Sequence, residues 1–247
     1  MQDYNSLDSV FLLKIEMMEI SPIKTEVFNT GDNLPDFIIR HIPRLKDKSI
    51  LIVTSKIVAL SQRAVVPFHT VTKRELVERE ADQILCESYR TYLTIKDGIL
   101  IAAAGIDESN AKDGYILWPH KPFEEARFLW KKLCSNYQIK NLGIIFSDSR
   151  STPLRNGITG IGISWWGFKG LRNYIGRPDL FGRPLTMSTS NVVDSLSSAA
   201  VLVMGESNEQ TPLAVVEGYE ADFCDQVDPS EIVIDKKDDI FGPVLKL

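Results

Sequence analysis

The chain has 247 residues, of which 44% are hydrophobic and 25% are charged, and this composition is typical of a soluble globular protein with one large domain or two small ones. Its formal net charge of −5 argues against a general nucleic-acid-binding protein, because such a protein needs a basic surface to neutralise phosphates. The three cysteines, Cys86, Cys134 and Cys224, lie far apart and form no C-x-x-C pair. Reduced thiols are therefore expected instead of a disulfide framework or a zinc site.

The N-terminal segment has a short apolar patch at residues 10–13 and acidic residues where a secretory signal would carry basic ones. No apolar run in the sequence approaches the ~20 residues that a membrane-spanning helix needs. We therefore expect a cytoplasmic protein with no membrane partner.

The hydrophobic pattern predicts alternating strands and helices, which favours a mixed α/β fold. The predicted strands cover residues 10–18, 49–53, 99–104, 114–118 and 142–146. The predicted helices cover residues 33–41, 72–92, 123–136 and 191–200, and residues 21–25 are predicted to form a polar turn. With no internal repeat or low-complexity linker, residues 1–247 are expected to form one unit. Its two intertwined lobes are placed near residues 10–140 and 141–221, with a tail, residues 222–247, that returns to the body.

Residues 144–218 contain the highest density of candidate functional residues. A predicted strand leads into Ser147-Asp148-Ser149, after which Gly, Pro, Ser, Thr and Arg replace the ordinary alternation, as in a loop at a strand end. The glycines between residues 157 and 170 predict close backbone approach or positive φ. Their order is not the dinucleotide fingerprint, which argues against a Rossmann oxidoreductase.

Four carboxylates stand near predicted strand or helix ends: Asp107, Asp148, Asp194 and Glu206. Together with the Ser149 hydroxyl, these oxygen donors suit hard cations such as Mg²⁺ or Mn²⁺, which commonly bring nucleotide phosphates with them. For Asp107 an Asx turn that caps its own loop is the alternative. Histidine is scarce, and no Ser-His-Asp or Cys-His motif supports nucleophilic catalysis.

Two groups of residues are candidates for binding anions. Thr54-Ser55-Lys56 follows a predicted buried strand and can offer hydroxyls, N–H groups and an ammonium to a phosphate, although a solvated lysine is the alternative. Six basic residues in the central stretch predict a site that holds several anionic groups, since guanidinium groups suit phosphate and carboxylate. They are Arg150, Arg155, Lys169, Arg172, Arg177 and Arg183. For Lys169 and Arg172 a role as surface counter-charges remains equally open.

Four segments in this order resemble the coenzyme F420-0:L-glutamate ligase family, the γ-glutamyl ligases that include bacterial members proposed to act on folates. They are residues 54–58 (TSKIV), residues 105–110 (GIDESN), residues 147–149 (SDS) with 176–183 (GRPDLFGR), and residues 203–206 (VMGE) followed by Pro212 and residues 217–218. The segment DDIF at residues 238–241 also resembles the family's tail. The resemblance extends over nearly the whole chain.

The resemblance implies a two-lobed α/β fold, an intertwined homodimer, and ligation that depends on GTP or ATP. It also implies two divalent cations, Mg²⁺ or Mn²⁺, the first held by Asp107 and Asp148 and the second by Ser149 and Glu206. The implied nucleotide contacts are Ser55, Lys56, Asn110, Met204, Gly205, Glu206 and Ser207. Arg150 and Arg155 are predicted to be the catalytic side chains, and the implied substrates are L-glutamate, the nucleotide and an acceptor like F420-0 or a folate.

The chain departs from the family pattern in two places. Ala59-Leu60 stands where the family typically places a second Ser-Lys. After Ser149 the sequence reads R-S-T-P-L-R, where the family typically has F-G-R-P-W-R. The second departure favours an acceptor other than F420-0. A nucleotide- or metabolite-binding regulator that kept the metal site and lost turnover is the alternative from a different class.

Overall fold

The computed structural model describes residues 17–88, 91–112 and 114–245. Most of the strand predicted for residues 10–18 lies outside the described residues, as does Tyr89 of the helix predicted for residues 72–92.

A five-stranded mixed sheet forms the centre of the molecule. In spatial order its strands are β1 (Glu19–Ile23), β12 (Leu213–Glu217), β2 (Ser49–Thr54), β8 (Leu142–Ser151) and β9 (Ile158–Trp166). The strands β2 and β8 run parallel, and the other neighbouring pairs run antiparallel. Because β2 has neighbours on both sides and helices on both faces, its apolar run SILIV is fully buried, as predicted.

Three smaller antiparallel sheets surround the central one. They are β3 (Val65–Pro67) with β7 (Gly114–Ile116), β4 (Gln83–Ser88) with β5 (Thr91–Lys96) and β6 (Ile99–Ala102), and β10 (Leu171–Asn173) with β11 (Thr189–Asn191).

Six helices complete the described fold, which confirms the mixed α/β class. They are α1 (Leu34–His41), α2 (Ser55–Ser61), α3 (Lys73–Glu80), α4 (Pro122–Tyr137), α5 (Val192–Met204) and α6 (Gly242–Leu245). Side-chain caps begin three of them: Asn33 accepts the Asp36 N–H at 3.0 Å, Thr72 forms a capping box with Glu75, and Asn191 caps α5. In the part of the chain that the structure covers, no helix is both long and apolar enough to cross a membrane.

The core lies on both faces of the central sheet. On one face α1 and α4 pack against residues such as Leu51 and Phe146, and on the other α5 packs against residues such as Ile52 and Trp165. Both Trp165 and Trp166 are buried, so the paired tryptophans belong to the core. Successive side chains of β2 point to opposite faces of the sheet, so this strand contributes to the core on both faces.

The glycines of β9 explain how closely α5 approaches the sheet. A Cβ atom added at Gly160 would overlap the Ser197 carbonyl, and one at Gly162 would overlap the Val193 side chain. This confirms the prediction of close backbone approach, and it shows that these glycines serve packing of a helix on a strand, not a dinucleotide.

Two element predictions were wrong because non-local pairing decides these segments. The helix predicted for residues 72–92 ends at Glu80, and β4 follows because β5 offers it an antiparallel partner. The residues Ser147–Ser151 are not a loop, since β8 continues through them alongside β9 with a register shift between Phe146 and Ser147.

Two smaller expectations also differ from the structure. Residues 21–23 belong to β1 and not to a turn; Pro22 is tolerated there because β1 is an edge strand. On α4 the helical spacing predicts Phe128 on the same buried side as Leu129 and Leu133, but Phe128 is 45% exposed.

After β12 the chain returns along the central sheet. Phe223 forms an isolated bridge with Phe168, and the Glu231 carboxylate accepts the Gly170 N–H at 2.7 Å. Ile232 packs against the α5 side of the core, whereas Ile240 is 82% exposed. The central sheet contains strands from both predicted lobes. The boundaries of the lobes stay a prediction.

Candidate functional site

A cavity of about 630 Å³ opens where the parallel strands β2 and β8 approach their carboxyl ends. This size suits a small-molecule ligand, and the carboxyl end of parallel strands is a common ligand-binding position in α/β folds. Of the catalytic, nucleotide-binding and metal-binding residues predicted together with the family resemblance, all except Arg155 line the cavity. They are Ser55, Lys56, Asp107, Asn110, Asp148, Ser149, Arg150, Met204, Gly205, Glu206 and Ser207.

The β2–α2 junction brings Ser55 and Lys56 to the cavity wall. Ser55 is the first residue of α2 and lines the cavity together with Asp148 of the neighbouring strand, whose pKa it lowers against the larger effect of burial. The Lys56 ammonium lies 2.7 Å from Asp107 Oδ2 and 2.8 Å from the Ser109 carbonyl oxygen. The lysine side chain is 24% exposed, so it is held inside the cavity and is not freely solvated.

A left-handed turn directs Asp107 into the cavity. Ala103, Ala104 and Gly105 all have positive φ, at 49°, 54° and 70°, and they reverse the chain after β6. Asp107 then forms an Asx-type contact, because its Oδ1 accepts the Ser109 N–H at 2.7 Å, while its Oδ2 faces Lys56. The Asx contact is thus present, and the cation-binding role of Asp107 stays a prediction.

The pKa values of the cavity carboxylates shift in different directions, because their surroundings differ in burial and charge. Burial raises the pKa of Asp107, but the hydrogen bond and charge of Lys56 outweigh it, so this pKa lies below its ordinary value. Burial raises the pKa of Asp148 to about 6 despite the hydrogen bond from the Ser149 N–H and the effect of the Ser55 side chain. Burial also raises the pKa of Glu206, whose Oε2 lies 3.5 Å from Ser149 Oγ. Desolvation is the dominant cause in the last two.

The donor set of the cavity fits a hard divalent cation. Asp107, Asp148, Glu206 and Ser149 offer carboxylate and hydroxyl oxygens, which Mg²⁺ and Mn²⁺ prefer. The raised pKa values of Asp148 and Glu206 show that nearby positive charge does not compensate their desolvation. Over the described ranges, no three His, Cys, Asp or Glu side chains form a ready-made metal cage. Mg²⁺ usually keeps several waters and substrate oxygens, so such a cage is not required.

Of the six predicted anion-binding residues, Arg150 reaches the cavity wall. Its Nη2 atom lies 3.7 Å from Oδ2 of Asp194, a carboxylate that stands behind the wall and not in it. Arg155 is exposed in the β8–β9 hairpin, and its catalytic role stays a prediction. Arg183 pairs with Asp179 at 3.0 Å on an exposed loop, as a surface counter-charge does. A single chain therefore does not assemble the predicted basic cluster.

The loop after α5 closes one side of the cavity. Gly205, with φ of 81°, ends the helix, and Asn110 Nδ2 donates to the Ser207 carbonyl oxygen at 2.9 Å. Glu209 also lines the cavity, and its backbone carbonyl accepts a hydrogen bond from Lys24. The family resemblance implies that the loop from Met204 to Thr211 contacts the nucleotide, and Glu209 lies in that loop, but the sequence assigned it no individual role.

Sequence reasoning also gave no role to Ser147, which lines the cavity from β8. It is 1% exposed, and its hydroxyl has no hydrogen-bond partner among the residues that the structure describes. Its position inside the Ser147-Asp148-Ser149 motif was a signal that could have found it.

The fold and the cavity together define a mixed α/β protein with a carboxylate-rich, ligand-sized pocket at the edge of its central sheet. A family model described as F420-0:Gamma-glutamyl ligase matches residues 22–218, and the chain belongs to this family.

Relatives with this description match most of the chain. A Coenzyme F420:L-glutamate ligase from Methanosarcina barkeri (strain Fusaro / DSM 804) is 28% identical over 231 residues, which cover 87% of this chain and 89% of that protein. A protein of the same name from Methanococcus maripaludis (strain C7 / ATCC BAA-1331) is 30% identical and covers 80% of this chain and 86% of its own length. One from Methanopyrus kandleri is 30% identical, over 83% of this chain and 89% of that protein. The family resemblance predicted from the motifs is thus confirmed.

Proposed function

We propose that this protein is a nucleotide-dependent γ-glutamyl ligase that joins L-glutamate to the carboxylate of an acceptor. The observation that carries the proposal is the assembly of Lys56, Asp107, Asp148 and Glu206 around one cavity from four separate segments of the chain. The names of its relatives, Coenzyme F420:L-glutamate ligases, support the same reaction class.

The proposed reaction proceeds through an acyl phosphate. A carboxylate oxygen of the acceptor attacks the γ-phosphorus of GTP or ATP and releases the nucleoside diphosphate. The amine of L-glutamate then attacks the acyl carbon, the C–O bond to phosphate breaks, and the amine proton passes to solvent. No protein nucleophile is required, since the site contributes positioning and charge stabilisation.

We assign the residues of the cavity different roles in this reaction. Asp107 and Asp148 would hold one divalent cation, and Ser149 and Glu206 would hold the second. Bound Mg²⁺ or Mn²⁺ would neutralise charge on the transferring phosphoryl group. Arg150 would hold an anionic substrate group, because a guanidinium offers several N–H donors to one oxyanion.

The nucleotide would lie against the wall formed by Ser55, Lys56, Asn110 and the Met204–Ser207 segment of the loop. This assignment is supported by the Asn110–Ser207 hydrogen bond of 2.9 Å, which joins two of these segments into one surface. The acceptor would be F420-0 or a folate, and Arg150 would bind one carboxylate or phosphate group of it.

We also propose that the protein forms a homodimer of two-lobed subunits in the cytoplasm. An arm formed by residues 174–188, between β10 and β11, carries exposed apolar side chains. Leu180 is 98% exposed, Phe181 is 82% exposed and Met187 is 86% exposed. Such apolar exposure on a monomer supports an interface with another copy.

Product analysis tests the proposed reaction. The purified protein is incubated with GTP or ATP, Mn²⁺ or Mg²⁺, L-glutamate, and either F420-0 or dihydrofolate, and the products are identified by mass spectrometry. We expect one acceptor to gain a glutamyl residue while one nucleoside diphosphate forms for each bond, and a chelator to stop the reaction. Nucleotide binding without product would instead support a regulatory protein.

Substitution of Asp148 tests the metal assignment. We expect Asp148→Ala to lower ligation by more than about 100-fold, because the cations lose a ligand at the cavity floor. Glu78→Gln, which removes a surface carboxylate of α3, is the control and should leave ligation unchanged. Circular dichroism and the melting temperature check the fold of both variants. Ligation that survives in a folded Asp148→Ala protein would show that the assignment is wrong.

A further inference from the structure

The charge balance of the cavity leaves Arg150 as its available binding group for an anion. Among the described residues, five acidic residues line the wall, and the carboxylate of one of them, Glu26, pairs with Arg40 at 2.7 Å. The other four are Asp107, Asp148, Glu206 and Glu209. Lys56 and Arg150 are the two cations of the same wall, and Lys56 is already bound to Asp107 and Ser109. An anionic substrate group that the proposed divalent cations and Lys56 do not bind would therefore rely on Arg150.

The Arg150 guanidinium has N–H donors that are available to bind a ligand. Its side chain is 31% exposed, and its contact with Asp194 at 3.7 Å is an ion pair too long for a hydrogen bond. The Nε atom is buried and has no acceptor within the part of the chain that the structure covers. A guanidinium carries five N–H donors, so Asp194 attracts the group without consuming its hydrogen-bonding capacity.

Asp194 itself is fixed from two sides. Its Oδ1 accepts the Gly162 N–H of β9 at 3.0 Å, and its Oδ2 accepts from Asn191 Nδ2 at 2.9 Å. Its own N–H donates to Asn191 Oδ1 at 3.0 Å, in the cap of α5. The carboxylate is thus held by the sheet and by the helix, and it presents a fixed negative charge to a flexible arginine.

We infer that Asp194 is a positioning residue that holds Arg150 in place to bind a substrate oxyanion, either a carboxylate or a phosphate. The inference rests on the proposed function, because it takes the cavity to bind anionic substrates. A long arginine side chain loses conformational entropy when it binds a ligand, and an ion pair formed beforehand lowers that loss. Asp194 therefore acts through Arg150, without contact to the substrate.

Binding measurements on Asp194→Asn test the inference. Asparagine keeps the size of the side chain and an acceptor for the Gly162 N–H but removes the charge that attracts Arg150. Dissociation constants are measured by calorimetry, with Mg²⁺ present, for three probes: GTP, L-glutamate and dihydrofolate. We expect the variant to bind one of them about tenfold more weakly, the scale of one charge-assisted hydrogen bond. A loss for GTP identifies a phosphate as the oxyanion, and a loss for either other probe identifies a carboxylate.

Coupling to Arg150 separates positioning from a structural role. Arg150→Met should weaken binding of the same probe at least as much, and adding Asp194→Asn to it should cause no further loss. Asp194→Glu should restore part of the affinity, and Glu78→Gln, which breaks a glutamate–arginine pair of α3 outside the cavity, should change nothing.

Three results would overturn the inference. They are an equal loss from Asp194→Asn in the presence and absence of Arg150, a loss of melting temperature with unchanged binding, and wild-type protein that binds none of the probes. Failure of the ligase proposal is distinguishable, because coupled binding by Asp194 and Arg150 without any glutamyl product would refute the reaction and leave the positioning role intact.

Discussion

Lys56 links two of the segments that form the cavity. It follows β2 on the chain, yet its ammonium contacts Asp107 and Ser109 of the loop after β6. These contacts are short, at 2.7 to 3.1 Å, and they lie where the side chain is mostly shielded from solvent. Lys56 therefore both orders the Asp107 loop and supplies positive charge beside the predicted phosphate position.

Replacing this lysine should weaken nucleotide binding. We expect Lys56→Gln to raise the dissociation constant for GTP or ATP by about tenfold or more, because a charge-assisted contact is lost and Asp107 is left without its cation. The measurement is titration with a fluorescent nucleotide analogue. Lys73→Gln is a matched control, since Lys73 pairs with Glu108 at 2.5 Å in the same loop but does not line the cavity. Equal effects of the two substitutions would refute a direct role for Lys56.

At the scale of the element, the turn at Ala103–Gly105 decides whether Asp107 reaches the cavity. Three successive residues with positive φ are uncommon outside functional or tightly packed turns. The Thr94 hydroxyl accepts the Ala104 N–H at 2.8 Å, and the Trp118 ring packs against Gly105. The neighbouring β5 strand and the tryptophan thus stabilise a conformation that alanine does not favour by itself.

Gly105 is expected to be essential to this turn. Gly105→Ala introduces a Cβ atom that would overlap the Trp118 ring, in addition to the cost of alanine at positive φ. Gly98→Ala is the matched control, because Gly98 has φ of 76° but nothing within 4 Å of an added Cβ. We expect Gly98→Ala to lower the free energy of unfolding by about 1–2 kcal/mol, the cost of the conformation alone. Gly105→Ala should lower it by about 1–3 kcal/mol more, the cost of overpacking.

Chemical denaturation of the two variants measures this difference. If both lower the unfolding free energy equally, Trp118 moves aside and the overlap costs nothing. In that case the packing explanation for Gly105 fails, although the conformational one stands.

For the whole molecule, the arm at residues 174–188 is a feature that exposes three large apolar side chains, those of Leu180, Phe181 and Met187. The chain leaves β10, makes turns closed by the Asp179–Arg183 pair, and returns as β11. Because the arm carries these exposed apolar side chains, we expect it to be buried against a second copy of the chain.

Replacing the apolar tip should separate the proposed dimer. We expect Leu180→Ser combined with Phe181→Ser to change the mass measured by light scattering from twice that of one chain to that of one chain, because the apolar area that stabilises the interface is removed. Leu202→Ser is the control, since Leu202 on α5 is 84% exposed and lies outside the arm. A wild-type protein that is monomeric at every concentration would refute the dimer.

Sequence patterns predicted the elements whose formation depends on their own residues. The strand β2 followed from a continuous apolar run, α1 followed from amphipathic spacing, and α5 followed from a segment with small residues on one face. The same patterns failed for residues 81–88 and 147–151, where a helix and a loop were predicted. There the partner strands β5 and β9 decide the conformation, and the local sequence pattern does not indicate which strand a segment will pair with.

The sequence by itself determined the mixed α/β class, the family motifs, and nearly all the side chains of the candidate site, because residue type and spacing carry the chemistry of oxygen ligands and phosphate-binding cations. The tertiary structure alone decided which of those side chains meet. It brought Arg150 to the cavity and left Arg155 outside, and it placed Asp194 behind Arg150 instead of among the cavity carboxylates. The physical reason is that a charge acts through the distance to its partner, and that distance is set by how β8, β9 and α5 pack, not by separation along the chain.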